Sequence, residues 1–337
     1  MPNYYFYQVL SRSKGFIGFS YNERYRKLTF IMHGILSQRN VKEKSDLIDL
    51  KYRILMQNLK PQSTKMMVFI LKISSTCSLE HYHSYKCSQT YKKLGDLFPI
   101  LKWFSGNKFY NKVIEHRKVL ESFYGSFVKE VKDDKEKKPC AIRDLLNKVD
   151  EGILDKLDIV HMTDNIFFAG TDTISASLTW IVAALANNPQ VQSKAHEELD
   201  RVVGQSRLPT ILDEPNISYI RAIIKEANSA AVFNIYGIHM DEKIYENPKE
   251  FNPERFLAGR RFCTGIHLAE LELLLGVSRL LWSFKIENAS PLGKNGKPIP
   301  INLDKARLGI NVWPEEYHVK LVKRHDNVEK ILFDISQ

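Results

Sequence analysis

The sequence predicts a mainly α-helical fold with a small β component. Apolar residues recur at helical spacing through most of the 337 residues, whereas strand-like alternation is short and lies chiefly in the C-terminal tail. A chain of this length can bury a sizeable core, and its 44% hydrophobic and 26% charged residues are ordinary for a globular protein. Since no linker or fixed-period repeat divides the sequence, we expect a single domain over residues 1–337.

Six segments have the periodicity of a helix with an apolar face. The longest is nearly uncharged beyond Asp172 and ends before Pro189, because the residue preceding a proline resists the helical conformation. Gly204 ends the helix that follows it. The predicted helices cover residues 22–36, 109–131, 153–187, 190–203, 219–228 and the stretch from just after 263 to 281. Strands are predicted at 298–302 and 317–322, and residues 67–73 are ambiguous.

The positive charge of the chain lies in its first half. Residues 1–150 contain 28 Lys and Arg against 14 Asp and Glu, and the whole chain carries a net charge of +10. Such a field suits an anionic membrane surface or an acidic protein partner, and a solvated basic face is the simpler alternative. We expect no nucleic-acid role, because no basic run is interleaved with aromatic residues.

Cysteine content and hydropathy indicate the cellular environment. Four scattered cysteines do not form a disulfide framework, so we expect a reducing compartment. The longest strictly apolar run near the N-terminus, residues 66–71, is far shorter than the ~20 residues of a membrane span. No signal peptide is apparent. The sequence therefore predicts a chain that is soluble or at most peripherally bound to a membrane.

Cys263 lies in the sequence Phe-Leu-Ala-Gly-Arg-Arg-Phe-Cys-Thr-Gly, residues 256–265. Gly259 and Gly265 allow tight turns and a close approach to a flat ligand. Arg261 and the N-terminus of the predicted following helix favour an anion, so the sulfur is expected to be a thiolate. A soft anionic sulfur on such a loop is a good ligand for iron.

A second motif, Ala169-Gly170-Thr171-Asp172-Thr173, interrupts the long helix. Ala169, Gly170 and Thr173 share one face by their spacing, which combines room for a ligand with a hydroxyl that can donate a proton. Asp172 beside them can relay protons from solvent. The alternative is an Ala/Gly notch against which another helix packs.

Together these motifs resemble the cytochrome P450 family. Phe256-x-x-Gly259-x-Arg261-x-Cys263-x-Gly265 is similar to the family's haem-binding signature, and residues 169–173 resemble its oxygen-activation motif. The segments at 248–256, with Arg255, and 219–226, with Glu226, resemble the stretches that supply the family's conserved Glu–Arg core network. Tyr25-Arg26-x-x-Thr29 resembles its propionate-binding Trp-Arg-x-x-Arg. All of them occur in the family's order.

The resemblance implies a haem-thiolate monooxygenase of the eukaryotic microsomal type. Cys263 would ligate the iron of haem b and donate electron density that favours O–O cleavage. Asp172 and Thr173 would deliver protons, with Ile166, Ala169 and Gly170 lining the distal pocket. The implied partners are O2, a small lipophilic substrate and a flavoprotein reductase that passes on electrons from NADPH. The implied location is the endoplasmic reticulum membrane, although the missing anchor favours a cytoplasmic or peripheral location.

The sequence also departs from the family pattern. Ser229 stands where Glu-x-x-Arg has its arginine, and Thr29 stands where the second propionate cation is expected. Phe256 ends one motif and begins the next, whereas a loop separates the two in the family. We therefore expect a fold that is incomplete at the N-terminus and before the haem-binding loop.

Two alternatives remain open from the sequence. One is an inactive, haem-free remnant, a splice or gene-prediction product that acts at most as a binding protein. The other is a zinc site at Cys77-x3-His81-x-His83-x3-Cys87, whose ligand types suit zinc although their spacing matches no familiar zinc finger.

Overall fold

The computed structural model describes residues 22–58, 63–65, 106–231, 265–308 and 312–333. Helices make up most of these residues, which confirms the predicted fold class. In chain order the α-helices are α1 Glu23–Ile35, α2 Gln38–Glu43, α3 Ser45–Asn58, α4 Gly106–Asp133, α5 Ala141–Asp150, α6 Lys156–Asn187, α7 Pro189–Val202, α8 Ser218–Ala231, α9 Ile266–Ser283 and α10 Asn327–Phe333. A short 3-10 helix, Ile211–Asn216, precedes α8.

The β component consists of two small antiparallel sheets. The strands are β1 Ser63–Lys65, β2 Phe284–Asn288, β3 Ala306–Leu308, β4 Val312–Pro314 and β5 His318–Lys323. In the larger sheet β5 lies between β1 and β2, with Ile286 opposite Leu321, and in the smaller sheet β3 pairs with β4. β5 confirms the strand predicted at 317–322. The strand predicted at 298–302 is wrong, because only an isolated bridge between Leu292 and Pro298 forms there.

Two compact units divide the chain. The first contains Met1–Lys44 and Cys77–Thr171, and the second contains Ser45–Thr76 and Asp172–Gln337. The division falls within α6, which is one continuous helix. That residues 1–337 form a single domain stays a prediction.

In the first unit, α1, α5 and the beginning of α6 share an apolar core. Asn22 starts α1 by accepting a hydrogen bond from the Tyr25 backbone N–H (2.8 Å). The predicted inner face of α1 is confirmed, since four of its apolar residues are buried in this core. Its buried members are Leu28, Ile31, Met32, Ile35, Leu145, Leu154, Ile159 and Met162.

A reciprocal capping box starts α6. The Asp155 carboxylate accepts the backbone N–H of Asp158 (2.8 Å), and the Asp158 carboxylate accepts that of Asp155 (3.0 Å). Arg24 of α1 also pairs with the buried Asp158. The helix ends at Asn187, as predicted. The Asn187 side chain bonds both the N–H and the C=O of Ile301.

In the second unit, residues 174–186 of α6 are buried without exception, and α9 packs against α3, α7 and α8. Gln192 of α7 joins this core to the sheet. Its amide accepts the Ile286 N–H (2.9 Å) and donates to the carbonyls of Ile286 and Leu185. These bonds join β2 to α7 and to the end of α6.

In the part of the chain that the structure describes, α6 alone is long and apolar enough to cross a membrane by length and composition. More than half of its apolar stretch is buried inside the protein. Core helices of soluble proteins meet the same criteria.

Candidate active site

The middle of α6 is open on one side. Ala169 and Thr173 are exposed and lie one turn apart, while Asp172 between them is half-buried. Residues 166–168 directly before this turn are half-buried, and the helix is entirely buried from residue 174 to 186. An uncovered turn in an otherwise buried, apolar helix marks a place where a ligand can lie against the backbone.

Gly170 adds no side chain to this face of α6. A Cβ added at Gly170 would have no neighbouring atom within 4 Å in the part of the chain that the structure describes. By helical spacing Ile166, Ala169, Gly170 and Thr173 belong to the same face. The open face therefore combines small residues, one apolar side chain and one hydroxyl. This composition fits the broad apolar surface of a haem or of a lipophilic substrate.

The N-terminus of α9 lies next to the predicted iron ligand in the sequence. Gly265 is the N-cap, and its carbonyl accepts the N–H of Ala269 (2.9 Å). The helix begins three residues after Cys263, so its first-turn amides favour a nearby anion. The φ of Gly265 is −94°, which any residue adopts, so its backbone conformation does not require glycine. Phe256, Gly259, Arg261 and Cys263 lie outside the described residues.

The predicted propionate-binding residues lie on α1. Tyr25 is half-buried, Arg26 is exposed, and Thr29 is half-buried. The Thr29 hydroxyl oxygen is buried and has no hydrogen-bond partner among the described residues. The position at which the sequence pattern leads us to expect a long cation thus holds a short hydroxyl with no hydrogen-bond partner in the described part of the chain.

Other predicted groups are described only in part. Glu226 is buried on α8, whereas the side chains of Ser229 and Arg255 lie outside the described residues. The zinc candidate at residues 77–87 lies outside them as well. In the described ranges, no group of three or more His, Cys, Asp or Glu side chains is arranged to hold a metal ion.

Comparison with known proteins decides the family. The sequence model of cytochrome P450 matches residues 79–229 and 227–301, which together make up more than half of the chain. The chain belongs to the cytochrome P450 family. Its fold agrees, since a zebra fish cytochrome P450 structure with progesterone aligns to 94% of this chain and 87% of its own, with a TM-score of 0.75 at 22% identity. A second, with abiraterone, gives a TM-score of 0.71.

The curated P450 relatives are longer than this chain. A cytochrome P450 monooxygenase of Arthrobotrys oligospora is 27% identical over 90% of this chain and 72% of its own length. Monooxygenase 58 of Postia placenta is also 27% identical, over 72% of this chain and 56% of its own. The chain thus spans between about half and three quarters of these relatives.

Some of the missing length is internal. The first alignment has 387 positions and this chain has 337 residues, so at least 50 positions have no counterpart here. In addition, the P450 match breaks into two segments that meet at residues 227–229. This break coincides with the position where the sequence lacks the arginine of Glu-x-x-Arg.

The structure also identifies Asp164 of α6, which sequence analysis missed. Burial raises the pKa of its carboxyl to about 7, opposed by a hydrogen bond from Asn165. Nearby, His161 Nε2 lies 3.4 Å from Glu121 Oε1 of α4. The sequence gives only a partial signal, an aspartate directly before Asn-Ile-Phe-Phe in an apolar helix, because the pKa depends on which side chains from other elements cover the carboxyl.

Proposed function

We propose that this P450 chain is a haem-thiolate monooxygenase. It would hold haem b through Cys263 and insert one oxygen atom of O2 into a small lipophilic substrate, with electrons from NADPH. The open turn of α6 from Ala169 to Thr173 is the observation that supports this most directly, in a chain whose curated relatives are named monooxygenases.

The small residues on the exposed turn of α6 suit the haem that the family uses. When bound, haem supplies the activation of O2 and the transfer of one of its oxygen atoms. The Cys263 thiolate would hold the iron, stabilised by Arg261 and the first-turn amides of α9. Ala169 and Gly170 would admit a flat ring against α6, with Ile166 as the apolar wall. Phe256, Gly259 and Gly265 would shape the loop on the thiolate side, and Tyr25 and Arg26 would bind the propionates.

Two neighbouring residues of α6 would handle protons. Thr173 is exposed on the face that it shares with Ala169 and would donate a proton from Oγ1 toward the reacting oxygen. Asp172, half-buried on the same turn, would replace that proton from solvent. The apolar surroundings of residues 166–173 would keep bulk water from the reacting atoms.

The charge distribution supports the proposed partners. Residues 1–150 carry the excess of Lys and Arg, which suits an acidic flavoprotein reductase and the anionic surface of the endoplasmic reticulum membrane. We place the chain there as a peripheral protein, one P450-like domain from residue 1 to 337. No nucleic-acid partner is proposed.

The decisive test is spectroscopic. The full chain is expressed with haem supply, reduced, and exposed to carbon monoxide. We expect the red-shifted Soret band of a thiolate-ligated ferrous haem, and its loss in Cys263→Ala. Cys140→Ala is the matched control, because Cys140 is a free, half-buried cysteine far from the signature in the sequence. Identical spectra for wild type and Cys263→Ala would disprove the ligand assignment.

A haem-free remnant is the second candidate. The internal break at residues 227–229 and the substitutions Thr29 and Ser229 favour it. It predicts no Soret band under any condition, together with poor solubility, because the open apolar face of α6 would stay uncovered. The same expression experiment therefore distinguishes the two candidates.

A further inference from the structure

Arg279 is a fully buried cation of α9, the helix that begins three residues after Cys263. Its relative exposure is 0%. Nε donates to the carbonyl of Pro209 (3.0 Å), Nη1 donates to the carbonyl of Asp49 (2.9 Å), and Nη2 pairs with the Asp49 carboxylate. Each of the three guanidinium nitrogens thus has a partner, and these bonds join three chain segments.

Two more contacts join α9 to α3 on the same side. A Cβ added to Gly276 would lie 2.8 Å from Cε1 of Tyr52, so only glycine lets the ring pack this closely. One turn nearer the N-terminus, Glu272 lies 4.0 Å from Nζ of Lys51. We call the contacts of Asp49, Lys51 and Tyr52 with Glu272, Gly276 and Arg279 the α3–α9 interface.

The electrostatics show how strongly this interface is desolvated. Burial lowers the pKa of Arg279, against the opposing effect of the Asp49 carboxylate. Burial also raises the pKa of Glu272 and of Tyr52. Desolvated polar groups accept few alternative arrangements, because each one would leave a buried group unpaired. The interface therefore defines one position for α9 along and around its axis.

We propose that Arg279 is a positioning residue for the iron site: the α3–α9 interface fixes the direction of α9 and thereby the place of its N-terminus at Gly265, which follows Cys263 by two residues in the sequence. A helix of this length moves as a rigid rod. The bonds of Arg279 hold the C-terminal half of α9, and the contact of Gly276 with Tyr52 holds its middle. Together they determine the direction of the first-turn amides. This inference rests on the proposed function, because the position of α9 matters for catalysis only if Cys263 holds iron.

The test compares Arg279→Met, which keeps the length of the side chain without its donors, with Arg307→Met as control. Arg307 forms an exposed ion pair with Glu316 in the same unit (3.4 Å). In the haem-free chain we expect hydrogen exchange of residues 265–275 to become about ten-fold faster in Arg279→Met, with little change in β5. In the loaded protein we expect a shift from the red-shifted Soret band to a shorter wavelength. Arg307→Met should change neither.

Asp49→Asn keeps the inference testable if Arg279→Met does not fold, because it removes only the charge and retains both acceptors of Arg279. In Asp49→Asn we expect the exchange of residues 265–275 to accelerate by a smaller factor than in Arg279→Met. Arg279→Lys keeps a cation at this position and should recover part of the slow exchange of the wild type. Equal acceleration in β5 and in residues 265–275 would overturn the proposal, since it would indicate general destabilisation. Unchanged exchange in both variants would also overturn it. A wild-type chain without the red-shifted band would contradict the proposed function, while the exchange data would still decide whether Arg279 positions α9.

Discussion

Thr173 is the residue at which the proposed chemistry can be measured most directly. Thr173 is exposed on α6, one turn from Ala169. We expect Thr173→Ala to consume NADPH at a near-normal rate but to yield about ten-fold less product per NADPH, with release of peroxide, because the proton donor is lost. Thr173→Ser keeps the hydroxyl and should stay coupled. Full coupling in Thr173→Ala would rule out proton delivery by this residue.

His196 of α7 is expected to make the protein sensitive to acid. Burial lowers the pKa of the ring to about 4 from the usual 6.5, reinforced by the nearby Arg324 and opposed by Asp200. Nε2 is buried and has no hydrogen-bond partner among the described residues. Because the folded pKa is lower than the unfolded one, the unfolded state binds more protons between these values. Stability is therefore retained above about pH 6.5 and lost as the pH falls toward 4.

The size of this effect can be measured by urea unfolding at pH 7 and pH 5. We expect His196 to account for a loss of about 1 kcal/mol at pH 5, a figure reduced from the full pKa difference because the ring is partly exposed. His196→Gln should flatten the pH dependence by that amount. His318→Gln, at an exposed histidine of β5, should not. An unchanged slope in His196→Gln would show that other groups titrate in this range.

For single residues, the sequence predicts which positions form a motif better than it predicts the side chains that surround them in the fold. The spacing of Ala169, Gly170 and Thr173 places them on one face, and the structure shows that face to be open. The perturbed ionisation of Asp164 and His196 could not be predicted in the same way. Their pKa values depend on which side chains from other elements cover them, and a local sequence window does not contain that information.

At the scale of elements, Glu198 of α7 holds the start of α8, the helix that carries Glu226. Its carboxylate accepts the backbone N–H groups of Tyr219 (2.9 Å) and Ile220 (3.0 Å) and the hydroxyl of Ser218. A negative charge at a helix N-terminus also compensates the helix dipole. The side chain is 8% exposed, so water cannot replace these bonds.

We expect Glu198→Ala to lower the free energy of unfolding by about 3 kcal/mol, because several buried donors lose a charged acceptor. Hydrogen exchange in the first turn of α8 should accelerate more than exchange elsewhere. Glu198→Gln, which keeps one acceptor oxygen, should cost less. The neighbouring Glu197 is exposed, so Glu197→Ala serves as the control. Equal stabilities of the two alanine variants would contradict the capping role.

Of the ten described α-helices, α2, α3, α5 and α10 were not predicted from the sequence. α3 was missed because Leu47, Leu50 and Ile54 are exposed while Tyr52, Leu55 and Met56 are buried, which removes the amphipathic contrast. β2 was missed because no turn residue separates it from α9, and its strand conformation depends on Gln192 and β5. The strand expected at 298–302 does not form. There, the Asn187 side chain forms hydrogen bonds with both the backbone N–H and the carbonyl of Ile301, so these groups are not available to a neighbouring strand.

At the scale of the whole molecule, the family signal survives although the chain has lost internal length. The P450 fold is retained at a TM-score of 0.75, while at least 50 alignment positions of one relative are missing here. Helices can keep their packing when a connection shortens, because each buries its own apolar face. A bound cofactor depends instead on a few charged side chains from distant segments. We therefore expect haem retention to be affected more than folding.

Restoring the two lost cations tests this expectation. Thr29→Arg places a guanidinium where the buried Thr29 hydroxyl lacks a partner, and Ser229→Arg restores the spacing Glu226-x-x-Arg. A charge-assisted hydrogen bond contributes about 1.5–3 kcal/mol, so we expect the double variant to hold haem about ten-fold or more tightly than wild type, measured as haem per chain after gel filtration. Asn147→Arg, at an exposed position of α5, adds the same charge without a predicted partner and should change nothing. If the double variant retains no more haem than this control, the internal deletion rather than the missing cations limits haem binding.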